Sequence, residues 1–281
     1  MTYILYNPLA NGGNGEAGVS SLMETFAAER PEAVDLTSID AAAFFAACAA
    51  DDRVVLCGGD GTLHRLVNAL GGAAPAAPVH LWRFGTGNDF LRDAAPRDAR
   101  SLLLNPYLDG LPAADVGERR VFYLNGCSVG VDALVCRLLN ECRAENRRAG
   151  YVSLAVRAIL KQYRPMSGRV TVDGVTVAYD NIWLAAAMNG RYQGGGMKFA
   201  PDQDRAGDTL CCLVWHGTTP PGTLLRFPSV MIGRHAMFRK YCDFRYGREI
   251  AVELDAPADI QLDGETYSGV TAYAARKPGQ P

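Results

Sequence analysis

Arg53-Val54-Val55-Leu56-Cys57-Gly58-Gly59-Asp60-Gly61-Thr62-Leu63-His64-Arg65-Leu66-Val67-Asn68 is the stretch from which the fold can be worked out. From Val54 to Cys57 it is apolar and β-branched, the mark of a strand buried on both faces. Three glycines in four positions follow, and then Leu63, Leu66, Val67 and Leu70 recur at helical spacing. The expected order is strand, tight glycine turn, helix. Such a turn aims unpaired backbone N–H groups and the positive end of a helix dipole at one point, and phosphate suits that point. Bare glycine lets the backbone approach closely. Asp60 is the odd member, because a carboxylate beside phosphate calls for a mediating cation, and Mg²⁺ is the expected one.

Upstream, Tyr3-Ile4-Leu5-Tyr6 reads as a strand and is followed by the polar loop Asn7-Pro8-Leu9-Ala10-Asn11-Gly12-Gly13-Asn14-Gly15. A helix is expected over 17–29, a strand over 33–36, and an alanine-rich helix over 40–50 that Ser38 or Asp40 can cap. Downstream, a strand over 79–83 leads into a second glycine turn, Gly85-Thr86-Gly87-Asn88-Asp89, and a short helix over 90–94. Residues 101–104 read as helical, ended by Pro106. This alternation predicts an open, mainly parallel sheet with helices on both faces. Its three glycine loops, each following a strand, would then share the carboxyl edge.

Beyond about residue 111 the pattern changes. Strands are expected over 120–124, 169–172, 175–179, 182–187, 209–215, 249–254, 260–262 and 270–274, with Asp173-Gly174 as a hairpin turn. Helices are expected over 132–144, 151–162 and 222–231. The second half is therefore β-rich and sandwich-like. The expected division is an α/β domain at 1–113 and a β-rich domain at 114–267.

With 281 residues, 48% apolar and 21% charged, the composition is that of a globular protein. No apolar run is long enough to span a bilayer, and the chain opens without a basic signal-peptide start. The eight cysteines lack paired spacing and read as reduced thiols of a cytoplasmic protein. The net charge of −2 hides an asymmetry. Residues 1–115 hold 7 Lys/Arg against 14 Asp/Glu, and 116–281 hold 21 against 16.

Taken in order, the Asn7-Pro8 opening, Gly58-Gly59-Asp60-Gly61-Thr62 and Gly85-Thr86-Gly87-Asn88-Asp89 resemble the diacylglycerol kinase catalytic domain family. That family includes bacterial soluble lipid kinases, sphingosine kinases and ceramide kinases. The resemblance continues in Leu124-Asn125-Gly126-Cys127-Ser128-Val129-Gly130-Val131-Asp132, in Asn189-Gly190-Arg191-Tyr192-Gln193-Gly194-Gly195-Gly196-Met197-Lys198-Phe199-Ala200-Pro201, and in Leu262-Asp263-Gly264-Glu265. It spans essentially the whole chain. Gly-Gly-Asp-Gly-Thr alone is shared with NAD kinases and phosphofructokinases; the ordered set is far more specific.

The resemblance implies an amino-terminal ATP-binding α/β domain of the NAD kinase/phosphofructokinase type and a carboxy-terminal β-sandwich. It also implies an active site in the cleft between them, and a tail from about residue 268 to 281 that returns to the first domain. By the same resemblance, Asn7, Pro8, Asn11, Gly12 and Thr37 contact nucleotide. Gly58, Gly59, Asp60, Gly61, Thr62 and His64 form the main phosphate loop, and Gly85, Thr86, Asn88 and Asp89 the second. Asp263 and Glu265 match an acidic pair assigned to proton abstraction. Asp208 matches an aspartate that binds a structural Mg²⁺, with the carbonyls of Arg205 and Leu210 expected beside it. The family has Asn-Glu where this chain has His64-Arg65, the 201–209 loop is one residue longer than the common form, and Cys212 stands where an acid is common.

The implied activity is ATP- and Mg²⁺-dependent phosphorylation of diacylglycerol or a related lipid alcohol. A soluble-alcohol kinase of the NAD kinase sort, or an inactive nucleotide-binding module, are the alternatives. Two basic stretches, 133–169 and 222–248, interleave arginines with aliphatic and aromatic residues. They suit transient docking on an anionic bilayer and a cytoplasmic location peripheral to the inner membrane face. No nucleic-acid motif accompanies the charge, and the pattern is compatible with a homodimer.

Overall fold

The computed structural model describes residues 1–8, 10, 15–84, 87–145, 147 and 149–279. It forms two units, Met1–Leu111 and Pro112–Pro281. The first is built on strands β1 (Thr2–Tyr6), β2 (Glu32–Asp35), β3 (Arg53–Gly58), β4 (Val79–Arg83) and β5 (Ser101–Leu103), in the order β2-β1-β3-β4-β5. The first four are parallel, and β3 lies at the centre with Val54, Val55, Leu56 and Cys57 buried. Helices α1 (Gly15–Thr25), α2 (Ala41–Ala47), α3 (Asp60–Ala69), α4 (Asp89–Ala94) and α5 (Asn105–Leu108) connect them. On α3 the buried set is Leu63, Leu66 and Val67, as the helical spacing required. Asp40 caps α2 by accepting the Ala43 N–H at 3.1 Å.

Residues 101–103 differ from the expected helix. They form β5, antiparallel to β4 through His80, Leu81 and Trp82. Three residues are too few to express a period, so the neighbouring strand decides their conformation. Pro106 lies in the first turn of α5, where its missing N–H costs nothing, so it opens a helix rather than ending one.

The second unit carries β6 (Ala113–Val116), β7 (Arg119–Phe122), β8 (Gly126–Gly130), β9 (Met166–Val172), β10 (Val175–Met188), β11 (Leu210–His216), β12 (Cys242–Gly247), β13 (Glu249–Leu262) and β14 (Glu265–Arg276). They run β12-β11-β10-β8-β13-β14-β6-β7, with β9 paired to both β10 and β13. β10 and β13 are 14 residues long and interrupted by bulges. Each pairs with β9 through its first half and with β8 through its second. The sheet thereby folds over on itself around Val129, Val170, Ile182, Val252, Ile260 and Tyr273. Residues 268–276, where the tail was expected to return to the first domain, belong to β14 and pair with β13 and β6.

The turns Asp173-Gly174 and Asp263-Gly264 both have positive φ at both residues, the two-residue hairpin geometry that matches strand twist. Helix α6 (Val131–Ala144), helix α7 (Tyr151–Arg157) continued as a π-turn over Ala158–Gln162, and helix α8 (Pro220–Met231) pack on the outer face of the sheet around Trp183, Leu184 and Trp215. Among the described residues no helix is long and apolar enough to cross a membrane.

Candidate functional site

In the first unit, parallel register brings the ends of β1, β2, β3 and β4 to one edge: Tyr6 pairs with Asp35 and Cys57, and Gly58 with Arg83. Asn7, Thr37, the 58–62 turn and Asn88 follow from that edge. Asn11, Gly12, Gly85 and Thr86 lie outside the described residues. Asn7 is buried, and its carbonyl accepts the Ala10 N–H at 2.9 Å; the carbonyl of Pro8 accepts the Gly15 N–H at 3.3 Å. Thr37 is exposed, with its N–H and hydroxyl both donating to Asp35 Oδ1 at 2.8 and 2.7 Å.

The glycines of the main turn serve different ends. A Cβ on Gly58 would collide with the Thr62 side chain, so Gly58 makes room for packing. A Cβ on Gly61 would meet nothing within 4 Å, so the exposed first turn of α3 is open to a ligand. Gly59 caps that helix in extended conformation, its carbonyl accepting the Leu63 N–H at 3.1 Å. His64 is buried on the second half-turn, and Asn68 Nδ2 donates to its carbonyl at 2.9 Å. An anionic phosphate fits this open helix start.

Asp60 has a role that its sequence position does not reveal. Its Oδ2 accepts the N–H of Asp89 and its Oδ1 the N–H of Phe90, each at 2.9 Å. Asn88, at φ 52°, offers α4 no side-chain cap, and Asp60 caps it across 29 residues of chain. Asp60 thus locks the two glycine turns together, with both oxygens already accepting hydrogen bonds.

In the second unit the acidic turn does something similar. Asp263 Oδ2 accepts the N–H of Leu124 at 2.6 Å, and Oδ1 accepts those of Asn125 and Gly126 at 2.8 and 3.2 Å. Glu265 opens β14 opposite Leu262, half-buried, and among the described residues its carboxylate makes no side-chain hydrogen bond or ion pair. Behind this turn lies a buried polar network absent from the sequence reading. Asp132 Oδ2 accepts from the Ser128 hydroxyl, from Gln193 Nε2 at 3.2 Å and from Gln261 Nε2 at 3.1 Å. Gln261 Oε1 in turn accepts the Gly264 N–H at 2.9 Å. A Cβ on Gly126 would collide with Gln193 Oε1, so glycine is required for this closeness. Burial pushes the Asp132 carboxyl up to about 6, against the pull of Ser128, Gln261 and the N–H groups of 132 and 133. Gln193 and Gln261 lie 61 to 133 residues from Ser128 and Asp132, so they leave no local sequence signal.

Asp132 also lines an apolar pocket between the sheet and α6, α7 and α8, with Val131, Tyr151, Ile159, Trp183 and Phe227. Its free space is narrow, about 30 Å³.

Arg205, Asp208 and Leu210, as placed, do not fit a divalent ion. The Arg205 carbonyl accepts Lys277 Nζ at 2.8 Å, the Asp208 carboxylate pairs with Arg248 at 3.0 Å, and Leu210 sits in the ladder opposite Gly247. Among the described residues no cluster of three or more His, Cys, Asp or Glu side chains can hold a metal. Several arginines of the basic stretches are engaged in ion pairs: Arg137 with Asp259 and Glu141, Arg169 with Glu253.

The family model for the diacylglycerol kinase catalytic domain matches residues 1–118, and that for the YegS C-terminal NAD kinase beta sandwich-like domain matches residues 125–280. The chain belongs to the diacylglycerol kinase-like lipid kinase family. It is 26% identical over 291 residues to a diacylglycerol kinase of Mycobacterium tuberculosis CDC 1551, covering 98% of this chain and 91% of that one. It is also 26% identical over 248 residues to a Shewanella frigidimarina protein described as "Probable lipid kinase YegS-like", covering 83% and 77%. The crystal structure of a diacylglycerol kinase from Bacillus anthracis Sterne superposes with a TM-score of 0.62 at 16% identity, over 98% of this chain and 93% of that one.

Proposed function

We propose that this lipid kinase family member transfers the γ-phosphoryl group of ATP to the hydroxyl of diacylglycerol or a closely related lipid alcohol. The observation that carries the acceptor assignment is the apolar pocket with Asp132 in its wall, joined through Gln261 to the 263–265 turn. An acyl chain suits such a lining, and a hydroxyl suits its polar wall. Because the free space is narrow, the chain enters by spreading α7 and α8, and the π-turn at Ala158–Gln162 is a natural place for that movement.

In this proposal the phosphates of ATP lie against the start of the helix at the 59–62 turn, where exposed Gly61 leaves the approach open. Mg²⁺ bound with the nucleotide would supply charge neutralisation on the phosphates. Asp60 keeps the second glycine turn in register with the first. Asp263 fixes the backbone at 124–126, and the Glu265 carboxylate, not held by a side-chain hydrogen bond, accepts the proton of the lipid hydroxyl. The exposed side chains of Val152, Leu160, Leu225, Met231 and Ile232 lie on or beside the helices that line the pocket. With the neighbouring Lys161, Arg234 and Arg239 they form the face that meets an anionic bilayer.

The test is a panel of lipid alcohols in mixed micelles with γ-labelled ATP, with NAD as the soluble comparison. Label appearing in diacylglycerol, and not in NAD, is the expected result. Transfer to NAD alone, or nucleotide binding without transfer to any acceptor, overturns the reading.

A further inference from the structure

The loops at 124–126, 189 and 203–205 meet in a cluster of oxygens that two side-chain cations hold. Lys277 Nζ donates to Asn189 Oδ1 at 2.9 Å and to the Arg205 carbonyl at 2.8 Å. The Arg205 guanidinium donates to the Leu124 carbonyl and, at 2.9 Å, to Asn125 Oδ1. Asn189 Nδ2 donates to the same Leu124 carbonyl at 2.9 Å, and its N–H to the Asn125 carbonyl at 2.8 Å. The opposite side of residues 124–126 is held by Asp263.

Carbonyl and amide oxygens from several loops, two around the Lys277 ammonium and two around the Arg205 guanidinium, are of the kind that surrounds a hard divalent cation. Here the ammonium and the guanidinium together bring the charge of one such ion. They spend it on Asn189 Oδ1, the Arg205 carbonyl, the Leu124 carbonyl and Asn125 Oδ1. The Arg205 carbonyl, one of the expected metal ligands, is taken by Lys277. Asp208, the expected carboxylate ligand, is turned to Arg248. A divalent ion added to this cluster would meet two resident positive charges at close range.

We infer that Lys277, with Arg205, replaces the structural divalent cation of the family fold, so that the 124–126 loop and the Asp263 carboxylate it faces are held without metal. Lys277 is a positioning residue in this scheme. It acts through Asn189 and Arg205 on the backbone that Asp263 grips. The inference stands apart from the identity of the lipid acceptor, since it concerns the nucleotide-free protein.

The test uses the full chain without nucleotide. After dialysis against EDTA, wild-type protein analysed by plasma emission should hold no stoichiometric Mg²⁺ or Ca²⁺. Its melting temperature should be the same in EDTA and in excess MgCl₂. Lys277→Met should melt about 3–6 °C lower, from the loss of charged hydrogen bonds. Hydrogen exchange at the amides of Leu124, Asn125 and Gly126 should accelerate about tenfold, with the first unit unaffected. Lys277→Arg, which keeps the charge, should restore part of the protection. Metal retained at one ion per chain, a wild-type melting point that falls in EDTA, or unchanged exchange at those three amides in Lys277→Met would each overturn the inference. Should Lys277→Met fail to fold, Lys277→Gln carries the exchange arm and the wild-type metal and melting arms decide alone.

Discussion

Asp60 in the first unit and Asp263 in the second each gather backbone N–H groups from a distant loop, and the loops they gather are unlike. Asp60 lies on the first turn of α3 and caps α4, a regular element that has hydrogen bonds of its own. Asp263 lies at φ 49° in a hairpin turn and grips residues 124 and 125 and the first residue of β8, where no helix shares the load. A capped helix that loses its cap frays at one end. A segment that loses such an acceptor leaves all three N–H groups it held without that carboxylate. The same side chain in the same kind of contact is therefore expected to matter more in the second unit.

Asp263→Ala is the most severe test. Orphaned N–H groups cost about 1–3 kcal/mol each where they stay dry, and a left-handed alanine adds about 1 kcal/mol. Chemical denaturation should report a loss of at least about 3 kcal/mol, together with near-complete loss of lipid phosphorylation. Asp263→Asn, which tolerates the left-handed backbone and keeps one acceptor oxygen, should be clearly milder in stability. Equal stability of wild type and Asp263→Ala would erase the contrast with Asp60.

Next comes Glu265→Gln, which separates holding from chemistry. Turnover should fall about 10²–10⁴-fold with an unchanged melting temperature and unchanged ATP affinity. Near-normal turnover would return the proton to Asp263.

Asp132 sharpens the comparison with a third carboxylate, one held by side chains instead of backbone. Its folded value is raised to about 6 by burial, so the native state holds that proton more tightly than the unfolded chain does. The penalty of keeping it ionised is fully present above about pH 6 and is relieved as pH falls toward the ordinary carboxylate range. Relative to Asp132→Asn, the wild type should gain about 2–3 kcal/mol between pH 7 and pH 4. A flat difference across that window would place the Asp132 carboxyl in the ordinary range.

Asp60→Ala should show the smallest loss, about 1–2 kcal/mol, as for other helix caps. Nucleotide affinity measured by calorimetry should weaken as the second glycine turn drifts from the first. A loss equal to that of Asp263→Ala would show that both loops depend on their aspartate alike.

The strand, glycine turn and helix over 53–69 were legible because burial and period are both local there. The second unit's strands were legible as β-rich segments, but their order was not. β8 and β12 were hidden inside a motif and a basic stretch, and the double use of β10 and β13 depends on bulges that no local pattern announces. Single residues of the site fared unevenly. Asp60 and Asp263 stood out through their glycine neighbours, yet their partners lie 29 and about 139 residues away. Ser128, Gln193 and Gln261 look like ordinary polar residues in sequence, as does Lys277, and only the folded register joins the first three in one network and brings Lys277 to Asn189.

Because Asp60 and Asp263 read main-chain N–H groups, their grip is indifferent to side-chain identity, while the side chains themselves answer to burial: Phe90 and Leu124 lie in the core and Asn125 Oδ1 accepts from Arg205. Every amino acid except proline supplies that donor at 89, 90, 124 and 125. Gly126 is the exception, since Gln193 also forbids it a side chain. In a saturation library these positions should therefore reject proline even where a side chain of similar size and polarity is accepted.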